Sequence, residues 1–121
     1  MKCQPGTRGT TLKAALFIGG WKGHEPYEFG NWCSELLSAE GFEIKTFNSL
    51  TPLATPDTLC DIDLIVPIWS SARSSHQPEF GNMTKSEELG LIKLIANGCG
   101  LAGWHGHMGD AFRDRPTYHF L

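Results

Sequence analysis

Two histidines and an aspartate lie close together near the C-terminal end of the chain, where His105, His107 and Asp110 follow an H-x-H-x-x-D pattern. Imidazole groups act as general acids or bases near neutral pH, and they share with carboxylates the ability to bind metal ions. The pattern predicts catalysis by His105 and Asp110, or a divalent metal such as zinc held by all three side chains, although the spacing is no specific zinc signature. The alternative is that these histidines only hydrogen-bond to loop carbonyl groups.

Glycines on both sides of His105 allow the sharp turn of a nucleophile elbow, with histidine where serine or cysteine would stand. A further histidine, His24, follows a predicted strand and directly precedes a predicted helix. Loops after parallel strands meet at one edge of the sheet, so we expect His24 to lie beside His105 as a second catalytic residue. The alternative is that His24 only marks the helix start, with Glu25 placed favourably at the positive end of the helix dipole.

Three tryptophans, Trp21, Trp69 and Trp104, stand at the predicted C-terminal ends of strands. Indole rings beside polar side chains suit a sugar, because the rings form an apolar platform and the polar groups give direction. These tryptophans are therefore predicted to bind substrate, together with His107 and Arg113. For any one tryptophan the alternative is ordinary packing of a loop on the sheet, and for Arg113 it is a solvated side chain.

The elements that must position these residues alternate between strand and helix. Apolar runs predict buried strands at residues 14–18, 63–69 and 100–104, and residues 42–47 alternate as a half-exposed edge strand does. Helices are predicted at residues 26–40 and, after a capping box, at residues 84–97. Their predicted inner faces carry Phe29, Trp32, Cys33, Leu36 and Leu37 on the first helix and Leu89, Ile92, Ile95 and Ala96 on the second.

This alternation predicts an α/β fold, a three-layer flavodoxin-like or Rossmann-like parallel sheet in which ligands bind beyond the carboxyl ends of the strands. Pro67 is expected at the end of its strand because it cannot donate to a ladder. Residues 1–11 are rich in Gly and Thr and predict a flexible arm, so the domain covers residues 12–121. The long connection at residues 70–83 suggests a functional segment, such as a lid.

Composition narrows the class of partner. The chain has 121 residues, 40% of them apolar, and a formal net charge of −3, which fits one small folded domain and argues against nucleic acid or a membrane as a partner. The four widely spaced cysteines resemble neither a zinc ribbon nor a disulfide framework, so reduced thiols in a cytoplasmic protein are expected. No apolar run reaches the ~20 residues of a membrane helix.

The segments GGWKGHEP, DLIVPIW and GLAGWHGHMGDAFRDRPTYHFL together resemble the N-terminal half of the ThuA-like, trehalose-utilisation family, over residues 13–121. The resemblance implies a class I glutamine amidotransferase-like sheet and a role in the use of disaccharides. The related amidotransferases carry cysteine at the elbow where this chain has His105, so a Cys-dependent amidotransferase is not expected. His107 stands where the family commonly has glycine. The family continues past Leu121, so the resemblance implies a domain that is incomplete at its C-terminus.

The resulting functional hypothesis is a carbohydrate-processing protein of hydrolase, lyase or isomerase type, acting on a disaccharide or a keto-sugar. His105 would be its acid or base, with His24, Trp104 and Asp110 positioning the substrate. The alternative is a non-catalytic sugar-binding or regulatory module of the glutamine amidotransferase-like fold. A small carbohydrate is the expected partner in either case, and the residues leave open whether the chain forms a homo-oligomer.

Overall fold

A computed structural model describes residues 11–70 and 82–121 of the chain, and four strands alternate there with three helices. The predicted arm falls outside the described residues except for Thr11, and the predicted lid falls outside them except for its two ends. Short 3-10 turns at Lys22–His24, Thr51–Ala54, Pro56–Leu59 and Tyr118–Phe120 connect or follow the main elements. The strands and helices are β1 (Lys13–Gly20), α1 (Pro26–Ala39), β2 (Glu43–Phe47), β3 (Leu64–Ser70), α2 (Lys85–Ala96), β4 (Gly100–Leu101) and α3 (His105–Met108).

The four strands form one parallel sheet in the order β2-β1-β3-β4. β1 is buried from Ala14 to Gly19, as its unbroken apolar run predicts for a central parallel strand. β2 lies at one edge, as predicted, but its side chains do not alternate strictly: Lys45 and Thr46 are both exposed, and the half-buried Ile44 and Phe47 pack on opposite faces of the sheet. The α/β class and the parallel sheet are thereby confirmed, and the arrangement is consistent with a Rossmann-like or flavodoxin-like sheet.

The sheet separates two apolar clusters because successive strand residues point to opposite faces. Helix α1 covers the first face, where Leu16 and Ile68 pack with Cys33 of the helix. Helix α2 and the C-terminal segment cover the second face, where Phe17 and Ile65 belong to the larger cluster. A side chain's position along a strand therefore decides which helix it meets.

Helix α1 has the predicted start and end, with Pro26 in its first turn and Gly41 beyond it at φ +94°. Its predicted inner face is largely wrong: Trp32 is 54% exposed and Leu36 is 48% exposed. Gly30 is the reason, because its missing side chain lets the helix lie directly on Ile18. The helix therefore meets the sheet through its small residues, and its large apolar side chains project to either side of this contact.

Helix α2 begins with the predicted capping box, in which the Glu87 backbone N–H donates to the Thr84 hydroxyl and the Thr84 backbone N–H donates to the Glu87 carboxylate. The predicted inner face is largely wrong: Ile95 does pack against the core, but Leu89 and Ala96 are exposed, and the buried leucines of the helix are Leu91 and Leu94. Gly90 sets this orientation, because a side chain there would collide with the backbone carbonyl of Leu53.

Pro67 lies in the middle of β3 rather than at its end. Strand β4 is only two residues long and pairs with Leu64 and Ile65. The Ile65 carbonyl accepts from Ala102, so Pro67, two residues further, faces the same side as β4 but lies beyond the point where β4 ends at Leu101. The missing N–H therefore breaks no ladder bond of this sheet.

Two further findings concern the cysteines and the membrane. Cys33 and Cys99 are free and buried, whereas Cys60 is disulfide-bonded, so the expectation of reduced thiols is wrong for Cys60. Within residues 11–70 and 82–121, no helix has the length and apolar character needed to cross a bilayer.

Candidate functional site

Three histidines converge at the carboxyl edge of the sheet. His24 lies in the 3-10 turn after β1, and His105 and His107 lie in α3, which follows β4. The ring centres of His24 and His107 are 5.5 Å apart, those of His105 and His107 are 5.8 Å apart, and those of His24 and His105 are 6.3 Å apart. The structure thus brings His24 and His105 together, as the parallel topology predicts. We call these three side chains the histidine cluster.

The turn that carries His105 has the form of an elbow between a strand and a helix. His105 is exposed and has a backbone φ of +22°, at the edge of the left-handed region that side chains rarely enter. Gly106 is required here, since a Cβ atom at this position would lie 2.7 Å from Cε1 of His24. The glycine therefore lets the two histidine loops approach each other, and the elbow presents His105 to solvent.

A serine that the sequence reasoning missed holds the His24 ring. His24 Nδ1 and the Ser70 hydroxyl are 2.5 Å apart, and the same hydroxyl donates to the Gly106 carbonyl at 3.2 Å. A hydroxyl has one hydrogen, so a chain that satisfies both bonds requires Nδ1–H of His24 to donate to Ser70. Neutral His24 then carries its free lone pair on Nε2, which is the state of a general base.

His107 is the buried member of the histidine cluster and is only 1% exposed. Its Nε2–H donates to the backbone carbonyl of His24 at 2.9 Å, while its Nδ1 is buried and has no hydrogen-bond partner. Burial lowers the pKa of His107, and the neighbouring His24 and His105 lower it further. His107 is therefore a neutral structural residue here, which matches the alternative of a histidine bonded to a loop carbonyl rather than the predicted contact with substrate.

The three predicted substrate tryptophans have different surroundings. Trp21 is 41% exposed and meets the His24 ring edge-on at 4.7 Å. Trp104 packs against His107 at 5.4 Å and edge-on against Trp32 at 5.7 Å. Trp69 is buried in the core on the α2 face, with its ring over Gly19, so it does not reach the histidine cluster. Successive residues of a strand point to opposite faces of the sheet. Trp69 therefore points into the core on the α2 face, whereas its neighbour Ser70 points to the other face.

Asp110 and Arg113 bind each other at the surface rather than facing the histidines together. Arg113 donates two hydrogen bonds of 2.7 Å to the two carboxylate oxygens of Asp110, and both side chains are about half exposed. This pairing raises the pKa of Arg113. The predicted roles of Asp110 in catalysis and of Arg113 in substrate binding stay predictions, and each would require this ion pair to open.

The predicted metal site is not assembled in this conformation. No group of three or more His, Cys, Asp and Glu side chains in the described part of the chain is arranged to hold a metal ion. His107 uses Nε2 on a carbonyl group, and both Asp110 oxygens accept from Arg113. His105 is exposed, whereas His107 is buried and the exposed Asp110 is held by Arg113.

A cavity of about 310 Å³ lies beside the cluster and was not predicted from the sequence. Its lining consists of Glu25, Glu28, Phe29 and Trp32. Phe29 also packs against His107, with ring centres 5.2 Å apart, so the cavity and the histidine cluster share a wall. Ser70 could have been found from the sequence, because it stands at the end of a predicted buried strand. The cavity could not, because it depends on the rotation of α1 about its own axis.

The described residues define an α/β protein with a parallel sheet and a histidine cluster at the carboxyl edge of that sheet. Comparisons with protein-family models, curated proteins and solved structures found no match. The class therefore rests on the strands and their register, and the activity is a matter for the proposal that follows.

Proposed function

We propose that the chain is a ThuA-like carbohydrate-processing protein that acts on a disaccharide or keto-sugar through its histidine cluster. The observation that supports this proposal is the pairing of an exposed His105 with a His24 whose Nε2 is available, next to Trp21 and Trp104. Sugar chemistry of the hydrolase, lyase or isomerase type requires proton transfer at hydroxyl or carbonyl oxygens. Two neighbouring imidazoles can act as acid and base in such a transfer.

The roles follow from the local contacts. His105, on the exposed elbow, gives a proton to or takes one from the sugar. His24 acts from the opposite side of the site, and Ser70 positions its ring rather than contacting the substrate. Trp21 and Trp104 offer apolar ring surface for the sugar. Binding of a metal such as zinc at His105 is a separate prediction, checked by elemental analysis after mild dialysis.

The test combines a turnover assay with a binding assay on the 121-residue chain. Trehalose and keto-disaccharides are incubated with the protein and followed by proton NMR, and binding is measured by calorimetry. His105→Ala should lower turnover about 100-fold or more while leaving binding within about threefold, as expected for loss of an acid–base group. His119→Ala is the matched control, since His119 lies in the C-terminal turn and bonds to Phe112. Unchanged turnover in His105→Ala would contradict the assignment of His105 as the acid–base group.

The second candidate is a non-catalytic sugar-binding or regulatory module. The observations that favour it are the buried, structural His107 and the occupied Asp110, which leave two histidines as the acid–base groups of this edge. This candidate predicts saturable binding of a sugar with no conversion, and equal binding by the wild type and His105→Ala. A chain that neither binds nor converts any of these sugars contradicts both candidates.

A cytoplasmic location and action on free small sugars belong to the same proposal. The disulfide at Cys60 makes the location testable, because such bonds persist mainly in oxidising compartments. Thiol alkylation of the protein in freshly broken cells, followed by mass spectrometry, distinguishes the two. A modified, reduced Cys60 supports the cytoplasm, and a protected Cys60 contradicts it.

A further inference from the structure

The cavity at the start of α1 combines two acidic and two aromatic side chains. Glu25, Glu28, Phe29 and Trp32 line about 310 Å³ of open space. Neither glutamate has a hydrogen bond or ion pair through its side chain in the described part of the chain. Phe29 is 38% exposed and Trp32 is 54% exposed, so ring surface remains in contact with solvent. Packing within the described residues does not explain why two unpaired carboxylates and two exposed rings line the same cavity.

The charge of this cavity selects a cation. The N-terminus of a helix carries a partial charge of roughly +0.5, which favours negative side chains nearby. The lining holds two carboxylates, Glu25 and Glu28, and no basic side chain, so the cavity favours cations over anions. The faces of aromatic rings are also negative and attract cations, tryptophan most strongly.

The apolar half of the lining selects the kind of cation. Hard metal ions take six or more oxygen ligands, whereas this lining offers two carboxylates beside two aromatic rings. A primary ammonium group is compact and strongly hydrated, so it loses water reluctantly against ring faces. An alkylated ammonium group carries its charge inside a shell of methyl groups, which matches rings on one side and carboxylates on the other. The volume is at the lower limit of small-molecule sites.

We propose that the cavity lined by Glu25, Glu28, Phe29 and Trp32 binds a small molecule with a quaternary ammonium group. The charged group lies between the Trp32 ring and the Glu28 carboxylate, and Glu25 closes the acidic side. This proposal does not depend on the proposed sugar chemistry, because it involves no proton transfer by the histidines and is measured by binding alone.

The test compares choline with 3,3-dimethylbutan-1-ol, a neutral molecule of nearly the same shape. Binding to the 121-residue chain is measured by calorimetry at constant ionic strength. We expect saturable binding of choline, with at least tenfold weaker binding of the neutral alcohol. Trp32→Ala and Glu28→Gln should each weaken choline binding about five- to thirtyfold, the usual range for a cation over a ring or beside a carboxylate. Glu28 is exposed and its side chain has no hydrogen-bond partner in the described residues, so Glu28→Gln should keep the wild-type unfolding temperature. Trp32→Ala also loses the contact with Trp104, so its choline binding is measured well below its own unfolding temperature.

Glu35→Gln is the matched control, because Glu35 is an exposed glutamate of the same helix outside the cavity. Its choline affinity should stay within about twofold of the wild type. Equal affinity for choline and the alcohol would show a plain apolar surface and overturn the proposal. The proposal also fails if choline does not saturate, or if Glu35→Gln weakens binding as much as Glu28→Gln does, which would indicate only the general negative charge of the helix.

Discussion

His107 is the residue whose protonation the structure constrains most. Its ring is buried, its Nε2–H is committed to the His24 carbonyl, and its pKa lies below the ordinary value of 6.5 because burial disfavours the imidazolium. In the unfolded chain the same ring accepts a proton near pH 6.5. Between that pH and its lower folded pKa, the unfolded state therefore binds more protons than the folded state. Stability that is present above pH 6.5 is lost as the pH falls.

A pH series on His107→Gln checks this. Glutamine can still donate to the His24 carbonyl but does not titrate. The wild type should be the more stable protein at pH 7.5, and its advantage in unfolding temperature should shrink as the pH falls from 6.5 to 5. An advantage that is constant or grows toward pH 5 would contradict the lowered pKa of His107.

Ser70 is a positioning residue in this account, because it reaches the site only through His24. The hydrogen-bond chain from His24 through Ser70 to Gly106 requires the proton on Nδ1, whereas a free neutral histidine prefers the proton on Nε2. We expect long-range proton–nitrogen NMR at pH 8 to show protonated Nδ1 in the wild type. Ser70→Ala should return His24 to mostly protonated Nε2, and Ser49→Ala, at an exposed serine, should leave it unchanged. Protonated Nε2 in the wild type would refute the chain.

At the scale of elements, the elbow between β4 and α3 depends on a close approach of two loops. The His24 ring lies where a side chain on Gly106 would project, and that ring is held by Ser70 and by contact with Trp21. The ring therefore has little freedom to move aside. Gly109, three residues later, has ordinary helical dihedral angles and only a normal contact with the His105 carbonyl at the position of an added Cβ.

These two glycines should respond differently to alanine. Gly106→Ala is expected to lower the free energy of unfolding by about 1–3 kcal/mol, the usual cost of overpacking, and to shift the His24 resonances. Gly109→Ala should change the free energy of unfolding by less than about 1 kcal/mol, because the helical dihedral angles accept alanine and alanine restricts the unfolded chain. Urea unfolding and histidine NMR spectra measure both effects. Equal responses of the two variants would remove the close approach as the reason for Gly106.

At the scale of the whole molecule, the sheet is the frame that holds the two histidine-bearing segments, the His24 turn and α3, together. β1 and β3 pair over seven residues from Ala14↔Leu64 to Gly20↔Ser70, so the ends that carry the His24 turn and Ser70 lie side by side. Ile65 lies within β3, is 1% exposed and belongs to the larger cluster. The precision of the site therefore depends on packing far from the histidines.

Ile65→Val tests how well that core is packed. Removal of one buried methylene group should lower the free energy of unfolding by about 1 kcal/mol. Leu89→Ala removes more atoms, but Leu89 is 54% exposed on α2, so its effect should stay within about 0.5 kcal/mol. Urea unfolding of both variants gives the comparison. A larger loss in Leu89→Ala than in Ile65→Val would mean that α2 packs by its other face.

The sequence by itself determined the order and kind of the main elements, and with them the convergence of His24 and His105. These predictions depend on local patterns: the apolar run of β1, the Pro26 start of α1, the capping box of α2 and the parallel connection that follows from alternation. Each pattern is read along the chain without knowledge of a partner element, which is why it could be predicted.

Only the tertiary structure decided which faces are buried and which side chains meet. Gly30 and Gly90 rotate their helices by permitting close contact with Ile18 and with the Leu53 carbonyl, so Trp32 and Leu89 became exposed. Burial is a property of two surfaces together, and helix periodicity describes only one of them. The same reason separates Trp69 from the site, buries His107, pairs Asp110 with an arginine and creates the acidic, aromatic cavity beside α1.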